Sequence, residues 1–277
     1  MIIKIICFLI LLIQFSFFLS FAKAEIKVQN LHSKINFIDY KISTYKPKEC
    51  NNENPCDVIY LLDSDYSFPI VKAIAEHLSE RNHVKPNIIV GIGYKNNPGV
   101  DRINYQINRS RDYTPVPCNK KQCPILKDEN LENNTGKAYI FIKVLQNEII
   151  PNIEKQNNVT KNRTIVGHSF GGLFVIYSAI KSDIFNQYIA ISPSFWYSDR
   201  FIFNQDLQKL QNKKIYITAG EFENKSMKLL DSVNDFCKIL PQNKNIKCQI
   251  LPQENHDTIF PSAFTKGLFF INDEIIA

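Results

Sequence analysis

The sequence has no run of lysine or arginine residues and no segment in which basic and aromatic residues alternate. Its 33 Lys and Arg residues exceed its 27 Asp and Glu residues by only six. A nucleic-acid-binding surface needs a concentrated basic patch, because phosphate contacts supply much of the affinity. We therefore expect no nucleic-acid partner, although an anionic small molecule is compatible with the charge.

No charged residue interrupts 5–21, a largely apolar stretch that follows Lys4 and precedes the small-x-small sequence Ala22-Lys23-Ala24. This pattern predicts a signal peptide over 1–24, with an uncleaved anchor as the alternative because the apolar core is borderline in length for a membrane span. We expect the mature chain to begin at Glu25, to be periplasmic or secreted, and to have no stable membrane insertion.

No histidine lies close in sequence to the six cysteines that follow the leader, and this disfavours a zinc site. These cysteines form three sequence-local pairs. An even number of locally paired cysteines in an exported chain predicts disulfides rather than metal ligands. The expected bonds are Cys50–Cys56, Cys118–Cys123 and Cys237–Cys248.

The chain lacks internal repeats and low-complexity linkers, so we expect one domain over 25–277. Short β-branched runs alternate with segments of helical periodicity, which predicts an α/β fold with a mainly parallel central sheet and helices on both faces. Strands are predicted over 36–44, 58–63, 87–94, 164–168, 187–192, 214–219 and 247–251, and helices over 68–81, 138–154, 170–181, 226–240 and 261–276. The polar stretch 95–136 is interpreted as a long loop that forms a wall of a binding site.

A Gly-x-Ser-x-Gly motif, Gly167 to Gly171, lies between a predicted strand and an apolar predicted helix. This is the context of the nucleophile elbow of the α/β-hydrolase fold. We expect side chains at either glycine to collide with neighbouring backbone in the sharp turn. Ser169 would then be the nucleophile, at a helix N-terminus that favours developing negative charge.

A serine nucleophile needs a base and usually an acid that orients the base, and in this fold the chain order is Ser, acid, His. His256 is the only histidine after Ser169, so elimination selects it as the base. Glu223 is the favoured acid because it follows a predicted central strand, Glu221 is the alternative, and a Ser-His dyad stays open.

Acyl transfer also requires N–H donors for the oxyanion. One would be the amide of Phe170, directly after the nucleophile. The other would come from Ser64 or Asp65, in the turn after the predicted strand 58–63.

Six segments together resemble the "Putative esterase" family of α/β-hydrolases, which holds esterase D-like enzymes and bacterial siderophore esterases. The RDYTP and SPSFW sequences are similar to the siderophore-esterase branch in particular. The segments follow the family's order along most of the chain: YLLDSD (60–65), VGIGY (90–94), RDYTP (111–115), GHSFGGL (167–173), ISPSFW (191–196) and GEFE (220–223).

The resemblance implies Ser169 and His256 as the reacting pair, with Ser64 or Asp65 near the oxyanion. It further implies that Arg111 lines the substrate site, where it could hold an anionic or catecholate group, while an ion pair in the long loop is its structural alternative. Trp196 would form an aromatic wall, or else belong to the core. The chain departs from the family's Asp-Gly-Asp at Ser64.

The combined interpretation is an exported serine hydrolase that cleaves a small-molecule carboxylic ester through an acyl-enzyme, without metal or organic cofactor. A trilactone siderophore is the substrate class that the resemblance implies. The alternatives are an acyltransferase of the same fold and a non-catalytic ligand-binding protein.

Overall fold

A computed structural model describes residues 24–96, 99, 101–123, 126, 129–223 and 228–273. The predicted signal peptide lies outside the described residues except for Ala24. Within the described part of the chain, no helix is long and apolar enough to cross a membrane.

The strands of the described chain form one sheet in the order β1-β2-β4-β3-β5-β6-β7-β8. Neighbouring strands from β4 to β8 pair in parallel, whereas β1 pairs antiparallel with β2 and β2 antiparallel with β4. The α/β-hydrolase fold with a mainly parallel sheet is thereby confirmed. The strands are β1 Glu25–His32, β2 Asp39–Lys46, β3 Cys56–Leu62, β4 Asn87–Tyr94, β5 Val159–His168, β6 Gln187–Ile191, β7 Lys214–Gly220 and β8 Ile246–Leu251.

Helices cover both faces of the sheet. The first and last helices pack on one face, and the others pack on the opposite face in a larger apolar core. Short helical turns occupy Tyr197–Arg200, Phe201–Asn204 and Leu207–Leu210. The helices are α1 Ser64–Glu80, α2 Arg102–Tyr113, α3 Ala138–Val144, α4 Ile150–Gln156, α5 Phe170–Lys181, α6 Leu229–Ile239 and α7 Phe260–Ile271, with a π-helical segment Leu145–Ile149 between α3 and α4.

The helix α5 lies in the centre of the larger core. Every residue from Phe170 to Ile180 is buried. The sequence FGGLFVIYSAI is apolar around most of the helix circumference, and such a helix must be covered on all sides. This burial holds the beginning of α5, and therefore the elbow, in a rigid position.

Besides the short helical turns, one strand and one helix of the described chain were not predicted. The edge strand β1 is largely exposed, so burial imposes no strong pattern on it. The helix α2 lies inside the stretch 95–136, which is therefore not entirely a loop as predicted. Its buried residues include Tyr105, Arg109 and Tyr113, spaced four apart on one helix face among polar neighbours. Because one of these three residues is charged, the spacing of apolar residues in the sequence does not indicate a helix here.

The parallel strands β3, β5, β6, β7 and β8 all end at the same edge of the sheet. In open α/β sheets, ligands bind outside the carboxyl ends of the strands. The loops after these strands therefore converge on one region, and this region contains the predicted nucleophile, acid and base.

Candidate active site

Ser169 lies at a sharp turn between β5 and α5. Its φ of 61° and ψ of −119° differ from helix and strand, and its N–H donates to the carbonyl oxygen of Ile191 at 2.9 Å. A non-glycine residue with positive φ is strained and persists only where its surroundings enforce it. The buried start of α5 and the bond to Ile191 supply that enforcement.

The two motif glycines have different roles. A Cβ at Gly167 would lie 2.4 Å from the backbone of Gly171, so the predicted collision is confirmed there. At Gly171 the nearest atom to an added Cβ is Asp63 Oδ2 at 3.5 Å, which is ordinary contact. The prediction of a collision at Gly171 is wrong, because that residue contributes the backbone that approaches Gly167.

His256 and Glu223 form a hydrogen-bonded pair. His256 Nδ1 is 2.9 Å from Glu223 Oε2, and the Glu223 side chain is fully buried while the His256 side chain is 27 % exposed. The other oxygen of Glu223 accepts hydrogen bonds from Ser192 Oγ and from the N–H of Gly220 at 3.2 Å. The carboxylate is therefore immobilised by three hydrogen bonds, one of which fixes Nδ1 of the imidazole.

Glu223 stays ionised despite its burial. Burial raises the pKa of a carboxyl group, but the hydrogen bonds from His256 and Ser192, the charge of His256 and the N–H of Gly220 favour the carboxylate, and the pKa of Glu223 is lowered. An ionised acid beside Nδ1 keeps the proton on that nitrogen and leaves Nε2 free to act as a base.

Glu221 points away from this pair. It is exposed, and its Oε2 accepts the N–H of Gln253 at 2.9 Å. The turn at Gly220 separates the two glutamates, and a Cβ at Gly220 would lie 2.3 Å from the carbonyl oxygen of Glu254. Of the two candidate acids, the structure brings Glu223 to His256.

His168, the residue before Ser169, packs on the ring of His256. The ring centroids are 4.5 Å apart, and Phe260 contacts His168 edge-on at 6.0 Å. Burial, followed by the charges of His256 and Arg109, holds the pKa of His168 well below its usual value. Its Nε2 is buried and has no hydrogen-bond partner among the described residues. His168 is therefore neutral near pH 7 and does not repel a proton arriving on His256.

The Ser169 hydroxyl has a second serine as its neighbour. Its Oγ is 3.4 Å from Ser194 Oγ, and the Ser194 N–H donates to the carbonyl oxygen of Ser169 at 3.2 Å. Among the described side chains, Ser169 and His256 share no hydrogen bond. Catalytic hydrogen bonds are often long or unformed without substrate.

The predicted oxyanion donors lie at two helix N-termini. Phe170 is the first residue of α5, and Ser64 and Asp65 begin α1. N–H groups in the first turn of a helix have no acceptor within the helix. Asp65 directs its carboxylate to Lys41 Nζ at 3.1 Å, so its side chain does not face the elbow.

Ser64 occupies the position where the family has glycine without needing glycine's conformation. The left-handed residue is Asp63, with φ of 53°, and Ser64 has no positive φ. The Ser64 side chain packs against Gly91 and Gly93 of β4, where an added Cβ would lie 2.7 Å from Ser64 Cβ and 2.9 Å from Ser64 Oγ respectively. The two strand glycines thus make room for Ser64.

Arg111 forms the structural ion pair that was its alternative role, and its predicted contact with substrate stays a prediction. Its Nε and Nη2 bind the carboxylate of Asp112 at 2.8 and 3.0 Å, and its Nη1 binds Asn108. With all three nitrogens engaged, Arg111 takes its structural alternative. The arginine that contacts the elbow is Arg109, whose guanidinium lies 5.7 Å from the ring centroid of Phe170.

Trp196 lies beside the elbow. Its ring packs on Phe170 at 5.9 Å and on Tyr197 at 6.3 Å, and it borders an open cleft that also contacts Arg200 and α6. The indole Nε1 is buried and has no hydrogen-bond partner among the described residues. The side chain is partly buried and packs against the edge of the larger apolar core, so it can contribute both to the core and to a wall of the cleft.

Two of the three predicted disulfides are present, Cys50–Cys56 and Cys237–Cys248. Cys118 and Cys123 are instead free, buried thiols, so the third prediction is wrong. They share a hydrogen bond, which lowers the pKa of Cys118 to about 7. Close spacing in sequence permits a bond but does not ensure the side-chain geometry that a bond requires.

Comparisons with known proteins identify a family for this chain. Residues 36–269 match the family model described as "Putative esterase". The chain is 29 % identical over 261 residues to ferri-bacillibactin esterase BesA of Bacillus subtilis, covering 88 % of each chain.

Solved structures of several proteins share the fold of this chain. A BES protein from Bacillus cereus superposes with a TM-score of 0.74 at 26 % identity, covering 89 % of this chain and 96 % of that one. Siderophore hydrolase EstB from Aspergillus nidulans shares the fold, with a TM-score of 0.72 at 20 % identity over 92 % and 97 % of the two chains. The chain belongs to the "Putative esterase" family of α/β-hydrolases.

Proposed function

We propose that this protein is an exported serine hydrolase that cleaves a trilactone siderophore through an acyl-enzyme. The observation that carries the proposal is the buried, ionised Glu223 hydrogen-bonded at 2.9 Å to His256, at the same sheet edge as the strained Ser169. A carboxylate that orients a histidine near a partly exposed serine is the arrangement that activates a hydroxyl for attack.

In the proposed reaction, His256 Nε2 accepts the hydroxyl proton as Ser169 Oγ attacks the ester carbonyl carbon. This requires the hydroxyl to rotate from Ser194 toward His256. The amide of Phe170 and that of Ser64 or Asp65 stabilise the oxyanion. Collapse of the intermediate breaks the bond to the alcohol oxygen, which leaves with the proton from His256. Water, deprotonated by His256, then attacks the acyl carbon, the bond to Ser169 Oγ breaks, and Oγ takes the proton back from His256 as the acid leaves.

The siderophore as substrate is supported by the relative that acts on ferri-bacillibactin and by the aromatic wall beside the elbow. Trp196 packs at a tilt on Phe170, the residue directly after Ser169, and is partly exposed beside an open cleft. A flat catechol ring packs well on an aromatic face. Export is supported by the two disulfides, which form and persist in oxidising compartments.

The test is hydrolysis of a catecholate trilactone and of a short p-nitrophenyl ester by the mature chain and by Ser169→Ala. Ser194→Ala is the matched control, because it removes a hydroxyl 3.4 Å from that of Ser169. We expect the trilactone to be the better substrate. We expect Ser169→Ala to lose at least about 10³-fold in kcat and Ser194→Ala to lose less than about tenfold.

Other outcomes separate the alternatives. Cleavage of the simple ester alone would remove the siderophore from the proposal and leave the serine mechanism. Transfer of the acyl group to an added alcohol in preference to water would indicate an acyltransferase. No serine-dependent cleavage, together with no labelling by a fluorophosphonate, would overturn the proposal in favour of a binding protein.

A further inference from the structure

A buried ion pair lies between the two segments that begin α1 and α5. The side chain of Arg109 in α2 is 10 % exposed, and that of Asp63 is 2 % exposed. Arg109 Nε is 3.1 Å from Asp63 Oδ1, and Nη2 is 2.9 Å from Oδ2. This two-point contact fixes the orientation of both groups, as a single lysine contact would not.

Asp63 is the residue that directs the chain from β3 into α1. It adopts the left-handed conformation with φ of 53°, and its Oδ1 also accepts a hydrogen bond from Tyr105 Oη at 2.9 Å. Left-handed backbone at a residue other than glycine is strained and has to be held by its surroundings. The groups that bind its carboxylate, Arg109 and Tyr105, both belong to α2, as does Tyr113, whose Oη accepts the Asp63 N–H at 3.4 Å. The Asp63 carbonyl oxygen accepts the hydroxyl of Ser67 in α1 at 2.8 Å.

The same guanidinium reaches the elbow. It lies 5.7 Å from the ring centroid of Phe170, the first residue of α5. Asp63 Oδ2 lies 3.5 Å from the position of a Cβ at Gly171, so the carboxylate also borders the elbow. Arg109 thus contacts both segments whose N–H groups are the proposed oxyanion donors.

Stability alone does not account for this pair. Removing two charges from water costs free energy that their attraction repays only with very good geometry, and apolar replacements are often as stable. A buried pair that contacts both donor segments is better explained by the geometry that it enforces.

We propose that Arg109 is a positioning residue that, through Asp63, sets the spacing between the amides at the start of α1 and the amide of Phe170. This inference rests on the proposed serine mechanism. Arg109 acts through the backbone of the two segments and does not itself contact the ester. Its loss would move one donor relative to the other and weaken the stabilisation of the oxyanion in the transition state, while substrate binding would change little.

Arg111 is the matched control. It lies on the same helix, its side chain is 13 % exposed, and it makes an equivalent two-point ion pair with Asp112, whose own side chain is 1 % exposed. Asp112 accepts hydrogen bonds from the hydroxyls of Tyr40 and Tyr94. Arg111→Met therefore removes a comparable buried charge pair that does not itself contact Asp63 or Phe170.

The experiment compares kcat and KM for a short p-nitrophenyl ester in Arg109→Met, Arg109→Lys, Arg111→Met and wild type, with folding checked by circular dichroism. We expect kcat to fall about 10- to 100-fold in Arg109→Met with KM within about twofold of wild type. We expect Arg109→Lys to recover part of the loss. Arg111→Met should keep kcat within about twofold while its melting temperature falls, as in Arg109→Met.

Equal kcat in Arg109→Met and Arg111→Met would overturn the inference, and so would a rise in KM with unchanged kcat. If Arg109→Met does not fold, Arg109→Lys is compared with wild type instead. A kcat of Arg109→Lys equal to that of wild type would then overturn the inference. Failure of the proposed function is distinguishable, because wild type itself would then show neither serine-dependent hydrolysis nor fluorophosphonate labelling.

Discussion

Two parts of the chain contribute to the region around Ser169 in different ways. One is the set of loops after β5, β7 and β8, and the other is the segment 95–136. The strand-end loops carry Ser169, Glu223 and His256, each next to a strand that hydrophobic periodicity indicates. The segment 95–136 contributes Arg109 from a helix with a polar sequence. Short sequence motifs can thus identify reacting residues at strand ends. They do not identify a side chain on a polar helix that supports those residues.

The largest expected effect concerns the two glutamates of the β7 loop. We predict that Glu223→Gln lowers kcat about 10²- to 10⁴-fold, because an amide cannot hold the His256 proton on Nδ1 as a carboxylate does. Glu221→Gln should stay within about twofold, since Glu221 binds the exposed Gln253 amide. The measurement is steady-state hydrolysis at pH 7.5. Similar losses in both variants would contradict the assignment of the acid.

The next effect concerns the two elbow glycines and is measured as the free energy of unfolding. We predict that Gly167→Ala lowers it by about 2 to 3 kcal/mol, because the new Cβ would lie 2.4 Å from the backbone of Gly171. Gly171→Ala should change it by less than about 1 kcal/mol, because its Cβ meets only ordinary contacts and alanine favours the helix. Urea titration at pH 7.5 compares them. Equal losses would show that the close approach is not the constraint.

A smaller effect concerns the pH dependence of stability. The pKa of His168 is lowered in the folded protein, so the unfolded chain binds the extra proton first as the pH falls. The contribution of His168 is present above its unfolded pKa of about 6.5 and is lost below it, by at most about 1.4 kcal/mol per pH unit.

The check is urea unfolding between pH 5 and 7.5 for wild type and His168→Phe, which keeps a ring against His256. We expect the variant to lose less stability on acidification than wild type, whatever its stability at pH 7.5. Identical slopes would mean that His168 titrates normally in the folded protein. Glu223 does not interfere, because its lowered pKa moves its own loss of stability to below about pH 4.5.

The smallest effect lies in the segment 95–136 and involves no change in activity. We predict that the unreduced mature chain gives almost no thiol reaction when folded and two thiols in denaturant, because Cys118 and Cys123 are free and buried. Cys118→Ser should give one thiol in denaturant. The assay is colourimetric titration with an aromatic disulfide, and no reaction in denaturant would show that the third disulfide forms after all.

The sequence by itself determined the α/β order of elements, the elbow and the choice of His256, because these depend on local periodicity, a steric requirement for glycine and elimination. Seven of the strands were predicted, and β4 was predicted with its observed bounds, because it is buried along its whole length and its apolar pattern is unbroken.

Only the tertiary structure decided between Glu221 and Glu223, since period-2 alternation directs both the same way until the turn at Gly220 separates them. It likewise showed that Arg109, which the sequence did not single out, contacts the elbow. Arg111, two residues away on the same helix, instead pairs with Asp112, which the hydroxyls of Tyr40 and Tyr94 also bind. The structure also decided that Cys118 and Cys123 are free thiols and not a disulfide. Each choice depends on where a side chain points, and that direction is set by packing between segments distant in sequence.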